Sequence, residues 1–191
     1  MAGLADTTGL VLAGGAGRRV GGADKGLLPW HGRPLVEQVV HKLRGEVATL
    51  LISCNRNQDY YATLADRIVA DQRPGFTGPL AGIEAAIPAL DSEFLLICPC
   101  DTPHLPGDLG ARLLGALREA GSGTAISYAH DGEHAQYLCA LLRTRILDSL
   151  TRELDSGTRA VKDWFRLHQS IAVDFSTQRG CFRNINRMEQ A

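Results

Sequence analysis

The stretch LVLAGGAGRRVGGADKGL, residues 10–27, joins a short apolar run to six glycines and three cationic side chains. A structural turn needs only one or two glycines, so the additional bare backbone calls for another explanation. Successive backbone N–H groups around Gly14, Gly15 and Gly17 can form a concave nest that binds an anion. The stretch therefore predicts a phosphate-binding loop that directly follows a buried strand.

The positive charge of this loop comes from side chains suited to phosphate. Arg19 can bind a phosphate in bidentate fashion, and Lys25 can act as a point charge. The loop is not a P-loop, because Lys25 is followed by Gly26 and not by Ser or Thr. It also lacks the third glycine of a dinucleotide fingerprint, which argues against a nicotinamide-dependent oxidoreductase.

The overall composition restricts the class of ligand. The chain has 191 residues, 45% of them apolar and 21% charged, as in a folded globular protein, and this length predicts one domain over residues 1–191. The formal net charge of −1 provides no global attraction to nucleic acid. No long basic tract or bilayer-length apolar segment indicates a membrane. We therefore expect no nucleic acid or membrane partner, and a phosphate site that is local.

The cellular compartment is suggested by the N-terminus and the cysteines. The opening residues MAGLADTTG lack the basic and apolar regions of a signal peptide. The five cysteines form no CxxC pair and lie mostly in apolar runs, which indicates reduced core thiols. A cytoplasmic location is expected.

Strand and helix patterns alternate along the first two thirds of the chain. Strands are predicted at residues 8–13, 47–54, 68–70, 93–98, 124–129, 136–142 and 170–175. Helices are predicted at residues 34–43, 57–65, 79–89, 106–120, 143–154 and 159–168. The alternation predicts a three-layer α/β fold, with a mostly parallel sheet and helices on both faces. Ligands of such sheets bind at the carboxyl ends of the strands, which here are followed by three loops, at residues 14–33, 71–79 and 99–106.

The loop CPCDTPHLP, residues 98–106, carries a candidate metal ligand. A hydrophobic strand places Asp101 at its end, and three prolines stiffen the following segment. Magnesium prefers one or two carboxylates together with phosphate oxygens of the substrate. Asp101 is therefore predicted to bind Mg²⁺ beside the phosphate loop.

The segment PGFTGPLAGI, residues 74–83, and Asp71 shortly before it suit the binding of a nucleotide. Gly78 and Gly82 permit close approach of a flat ligand or of the backbone, and a helix that begins near residue 79 directs its positive end to the same edge. Asp71, just before this segment, can accept N–H donors from a nucleobase or bind a ribose hydroxyl.

The late segment FRNINR, residues 182–187, carries two asparagines. In an extended segment, Asn184 and Asn186 point the same way. Their amide oxygens can complete a magnesium shell or bind a polar substrate.

Four motifs occur in order, LAGGxGxRxGGxDKGL, GPLAGI, CPCDTP and NIN, and together they resemble those of the molybdenum cofactor guanylyltransferases. That family belongs to the wider group of Rossmann-like nucleotidyltransferases. The resemblance runs from Gly9 to Asn186, and its most specific part is the Gly-Gly-x-Asp-Lys-Gly-Leu run. It implies a single Rossmann-like nucleotidyltransferase domain.

The resemblance also implies roles for residues of the first loop. The backbone of Leu12, Ala13 and Gly14 is expected to contact GTP, and Lys25 is expected to bind its phosphates. Ser53 stands where the family has an asparagine that contacts the nucleotide, and the neighbouring Asn55 is a candidate for that contact.

Later motifs supply the remaining expected roles. Asp71 is expected to contact the nucleotide and Asp101 to bind Mg²⁺. Asn184 and Asn186 are expected near the metal or the pterin.

The reaction implied by the resemblance transfers GMP from GTP to the terminal phosphate of molybdopterin, with release of pyrophosphate. Arg19, Lys25 and Asp101 are the expected catalytic residues. The implied partners are GTP, molybdopterin and proteins that carry molybdopterin or mature molybdoenzymes. Two alternatives stay open: a cytidylyl or sugar-1-phosphate transferase that uses the same chemistry, and a non-catalytic GTP-binding adaptor.

Overall fold

A computed structural model describes residues 4–15, 22–74 and 78–185. The strands of these residues are β1 (Leu4–Leu12), β2 (Pro29–Trp30), β3 (Arg33–Pro34), β4 (Val47–Ser53), β5 (Arg67–Val69), β6 (Phe94–Pro99), β7 (Ile126–His130), β8 (Ala135–Arg143) and β9 (Ser170–Asp174). The helices are α1 (Leu35–Arg44), α2 (Gln58–Ala62), α3 (Pro79–Ala86), α4 (Leu109–Glu119), α5 (Asp148–Asp155) and α6 (Val161–Phe165).

Seven strands form one sheet in the order β5-β4-β1-β6-β8-β7-β9. All neighbouring pairs are parallel except the two that involve β8, which runs antiparallel to β6 and β7. β8 reverses because it follows β7 through a turn of only a few residues, too short for a parallel crossover. The other six strands therefore end at one edge of the sheet, here called the carboxyl edge.

Helices cover both faces of this sheet, since side chains of a strand point alternately to opposite faces. On β1, Val11 faces a cluster with α1 and α4 that includes Leu113, whereas Leu10 faces a cluster with α3, α5 and α6 that includes Leu80 and Trp164. The three-layer, mostly parallel α/β architecture is thus confirmed.

The region predicted as a loop over residues 14–33 contains regular structure. A 3₁₀ turn spans Lys25–Leu27, and β2 pairs with β3 in a small antiparallel hairpin. His31 and Gly32 make its turn with positive φ angles of 49° and 77°. Pro34 belongs to this hairpin, so α1 begins one residue later than predicted.

The helix predicted at residues 143–154 begins too early. Arg143 is the last residue of β8, where its backbone N–H donates to the carbonyl of Ala125 over 2.9 Å. Its side chain also contacts Glu93, which keeps residue 143 at the sheet. A 3₁₀ turn at Thr144–Ile146 follows, and α5 starts at Asp148.

Within the described ranges, no helix has both the length and the apolar character needed to cross a bilayer. All five cysteines are free thiols, and four of them are buried. Burial, with a smaller contribution from the charge of Asp24, raises the pKa of the Cys54 thiol to about 11. These thiols belong to the core.

Candidate active site

Lys25 and Asp101 meet at the carboxyl edge, although 76 residues separate them in sequence. The Lys25 ammonium donates to Oδ2 of Asp101, and the two side chains are 25% and 11% exposed. Oδ1 of Asp101 is buried and has no hydrogen-bond partner among the described residues. The pair therefore combines a cation suited to phosphate with a carboxylate oxygen available to a cation.

The first loop leaves the sheet directly beside this pair. β1 lies between β4 and β6, and Cys100 N–H donates to the carbonyl of Leu12 over 3.2 Å. On the other side, Ala13 N–H donates to the carbonyl of Ser53 over 2.8 Å. The backbone of Leu12, Ala13 and Gly14 thus starts between the two neighbouring strand ends. Gly15 follows them, whereas the predicted site residues Gly17 and Arg19 lie outside the described residues.

Asp71 is joined to this loop by Asn55. The Asn55 amide donates to Oδ2 of Asp71 over 2.9 Å and to the carbonyl of Gly14 over 3.2 Å. The Asp71 N–H donates back to Asn55 Oδ1 over 2.9 Å. Oδ1 of Asp71 is buried and unpartnered within the part of the chain that is described, and burial raises the pKa of this carboxyl group. This buried oxygen could accept a hydrogen bond from a ligand that donates one here.

Ser53 lies in the same region but is buried, with 1% of its surface exposed. A Cβ on Gly82 would approach its Oγ to 2.6 Å, so the missing side chain of Gly82 allows α3 to pack closely against β4. Ser53 and Asn55 are the two candidates for the expected contact with the nucleotide. Of these, Asn55 has its polar group at the carboxyl edge.

Gly78 precedes the first residue of α3 and has a φ of 92°, a conformation that favours glycine. Because α3 follows β5, its N-terminus lies at the carboxyl edge. The structure thus places Gly78 at the edge that carries Asp71 and the first loop.

The C-terminal segment also reaches Asp101. The N–H of Ile185 donates to the backbone carbonyl of Asp101 over 2.9 Å, and the Ile185 side chain is buried. Asn184, adjacent to it, is exposed. The structure therefore brings Asn184 to the neighbourhood of Asp101, and Asn186 lies outside the described residues.

Beyond Asn55, sequence reasoning missed the residues that follow β4, namely Arg56, Asn57 and Tyr61. The Arg56 guanidinium donates to the carbonyl of Gly22 over 2.6 Å and to that of Gly15 over 3.2 Å, and so joins the two residues that flank positions 16–21. Asn57 and Tyr61 contact the carboxylate of Asp24. The available signal was the position of this segment immediately after a parallel strand, at the edge where ligands bind.

The described residues contain no cluster of three or more His, Cys, Asp or Glu side chains that could hold a metal ion. Such a cluster is not required for magnesium, which commonly uses one or two carboxylates and completes its coordination with water and substrate phosphates. The orphaned oxygen of Asp101 fits that type of site.

A family model described as "MobA-like NTP transferase domain" matches residues 9–172. The chain is 40% identical over 181 residues to the molybdenum cofactor guanylyltransferase of Shewanella amazonensis, covering 95% of this chain and 91% of that protein. It is 39% identical over 181 residues to the protein of the same name from Shewanella halifaxensis, covering 95% and 90%.

Solved structures share the fold. Molybdopterin-guanine dinucleotide biosynthesis protein A from Archaeoglobus fulgidus has a TM-score of 0.77 at 21% identity, covering 95% of this chain and 93% of that chain. The 4-diphosphocytidyl-2C-methyl-D-erythritolsynthase from Anaerococcus prevotii has a TM-score of 0.72 at 12% identity, covering 96% and 91%. At these identities the likeness concerns architecture alone.

Proposed function

Because the chain belongs to the family of MobA-like NTP transferases, we propose that it is a guanylyltransferase of molybdenum cofactor biosynthesis. It transfers GMP from GTP to the terminal phosphate of molybdopterin and releases pyrophosphate. The structural observation that carries this proposal is the meeting of Lys25 and Asp101 at the carboxyl edge, beside the start of the glycine-rich loop.

In this reaction an oxygen of the molybdopterin phosphate attacks the α-phosphorus of GTP. A new P–O bond forms, the bond from the α-phosphorus to its bridging oxygen breaks, and pyrophosphate leaves with that electron pair. The attacking phosphate has a second pKa of about 6, so it is mostly dianionic at neutral pH and needs no strong base. The protein has to position two anions and neutralise their charge.

We assign this neutralisation to Arg19 and Lys25, which would stabilise the departing pyrophosphate. Asp101 would hold Mg²⁺, because its buried Oδ1 has no partner among the described residues and carboxylate oxygen is a preferred magnesium ligand. When bound, the metal supplies positive charge that stabilises the phosphoryl oxygens.

Further residues are proposed to bind the substrates. The backbone at the end of β1 and in the following loop would contact GTP through Leu12, Ala13, Gly14, Gly15 and Gly17. Asp71 would contact the nucleoside, with Ser53 and Gly78 at its side, and Asn184 and Asn186 would lie near the metal or the pterin.

We also propose that residues 1–191 act as one nucleotidyltransferase domain. The five free thiols suit a reducing compartment, and we propose the cytoplasm. Proteins that carry molybdopterin or mature molybdoenzymes are proposed as partners in the supply and hand-over of the cofactor.

The test mixes the protein with molybdopterin, Mg²⁺ and either GTP or CTP, and follows pyrophosphate release and the guanylated product. We expect a dinucleotide product with GTP and none with CTP. Equal or better use of CTP would indicate a cytidylyltransferase, and transfer to a sugar 1-phosphate in place of molybdopterin would indicate a sugar nucleotidyltransferase. GTP binding without pyrophosphate release would indicate an adaptor.

A further inference from the structure

Tyr61 places a buried hydroxyl directly behind the proposed phosphate lysine. The side chain lies on α2, is 0% exposed and packs in the core cluster shared with α1 and α4. Its hydroxyl donates to Oδ1 of Asp24 over 2.7 Å, across 37 residues of sequence. Asp24 is the residue immediately before Lys25.

The Asp24 carboxylate fixes the turn that carries Lys25. It caps the 3₁₀ turn by accepting the Gly26 N–H over 3.2 Å. It also accepts hydrogen bonds from the Tyr61 hydroxyl and, over 2.8 Å, from the Asn57 amide. Three donors from two parts of the chain therefore converge on this one side chain.

The phenol also touches the turn itself. A Cβ added to Gly26 would lie 2.5 Å from Oη of Tyr61, closer than any real contact of this kind. The hydroxyl of Tyr61 therefore packs against the backbone of Gly26, which follows Lys25, and donates a hydrogen bond to the side chain of Asp24, which precedes Lys25. A four-carbon lysine side chain has much rotamer freedom, so its ammonium is placed accurately only if the backbone at its base is fixed.

We propose that Tyr61 is a positioning residue for Lys25, acting through the Asp24 carboxylate and the Gly26 backbone. The proposal rests on the phosphate role of Lys25 in the proposed function. Tyr61 itself touches no substrate, and its effect on the reaction should exist only while the Lys25 ammonium is present.

The neighbouring Tyr60 provides a matched control. Its hydroxyl also donates to a carboxylate, that of Glu37 on α1, and not to Asp24. The substitutions Tyr61→Phe and Tyr60→Phe remove the same atom from adjacent residues, and only the first affects the turn at Lys25.

The experiment is a double-mutant cycle on guanylyl transfer, measured as kcat/KM for GTP. Tyr61→Phe should lower kcat/KM about 10-fold in the otherwise natural chain, because small displacements of a catalytic group have effects of this order or larger. In a chain that carries Lys25→Ala, the same change should lower kcat/KM less than about 2-fold. Tyr60→Phe should leave kcat/KM unchanged in both backgrounds.

Equal losses from Tyr61→Phe in both backgrounds would mean a merely structural role and would overturn the proposal, as would full activity of Tyr61→Phe. If Tyr61→Phe does not fold, Asp24→Asn replaces it in the cycle, with the same expected loss that depends on Lys25. Calorimetric titration of GTP separates this proposal from the proposed function. If the natural chain does not transfer GMP, only the proposed function is wrong. If Tyr61→Phe and Lys25→Ala change the free energy of GTP binding additively, the positioning role is wrong.

Discussion

The Lys25 ammonium and the Asp101 carboxylate form an ion pair that closes the gap between the first loop and the end of β6. In the proposed reaction, each group has a different partner: Lys25 faces phosphate and Asp101 faces the metal. The ion pair keeps both groups at the carboxyl edge with their charges balanced. When MgGTP binds, the contact between Lys25 and Asp101 would be replaced by a contact of Lys25 with phosphate and a contact of Asp101 with the metal.

Lys25→Ala should lower the rate of guanylyl transfer by about 100- to 1000-fold, the scale of losing one preorganised group that stabilises transition-state charge. The measurement is pyrophosphate release with GTP and molybdopterin. Lys162→Ala removes an exposed lysine from α6 and serves as the control that should keep the natural rate. A loss of less than threefold for Lys25→Ala would remove this residue from the mechanism.

Because Lys25 already pairs with the Asp101 carboxylate, its ammonium should compete with a metal ion for that group. Lys25→Met keeps the length of the side chain but removes its charge, so Asp101 should bind a divalent cation more tightly when no nucleotide is present. Electron paramagnetic resonance of free Mn²⁺ should report an affinity at least about threefold higher, because removing one opposite charge near a carboxylate is worth this much or more. Asp101→Asn should abolish the binding, and unchanged affinity in Lys25→Met would contradict the competition.

The main elements of the site could be predicted because they follow apolar strands. The loop after β1 and Asp101 after β6 both come at the end of a buried run, and parallel strands bring such ends together. The alternation of strands and helices similarly predicted the two helical layers. The antiparallel β8 and the late start of α5 depended on pairing with β6 and on Arg143, which the local pattern does not specify.

The supporting contacts could not be predicted in the same way. Arg56 bonds to Gly15 and Gly22, and Tyr61 bonds to Asp24, each across 34 or more residues. Such contacts have no period and no spacing rule, and a lone Arg or Tyr after a strand has many possible partners. They become visible only when the strand order places β4 beside β1.

Asp71→Asn should raise the KM for GTP about 10-fold with little change in kcat, the pattern expected when binding is lost equally from ground and transition states. The substitution keeps an oxygen for Asn55 but removes the buried, unpartnered carboxylate oxygen. Steady-state kinetics checks the prediction, with Asp91→Asn at an exposed position as the control. An unchanged KM would place Asp71 outside the nucleotide site.

Arg73 and Glu84 should make the free energy of unfolding depend on pH. The Arg73 guanidinium donates to both carboxylate oxygens of Glu84, over 2.6 and 2.7 Å, and ties the segment after Asp71 to α3. These hydrogen bonds hold the pKa of Glu84 below its ordinary value of 4.5. A lowered carboxyl pKa contributes stability that is present above the ordinary value and is lost as the pH falls through the folded-state value.

Glu84→Gln should therefore lower the free energy of unfolding by about 1 kcal/mol at neutral pH, an amount reduced by the partial exposure of the pair. Below about pH 4.5 the difference from the natural chain should shrink and then vanish, because the natural carboxyl is then protonated as well. Urea unfolding of both chains at a series of pH values measures this difference in the free energy of unfolding. Asp163→Asn, which breaks the exposed pair with Arg166, should have almost no effect at any pH. A difference for Glu84→Gln that stays constant into acid would show that the charge of Glu84 contributes nothing.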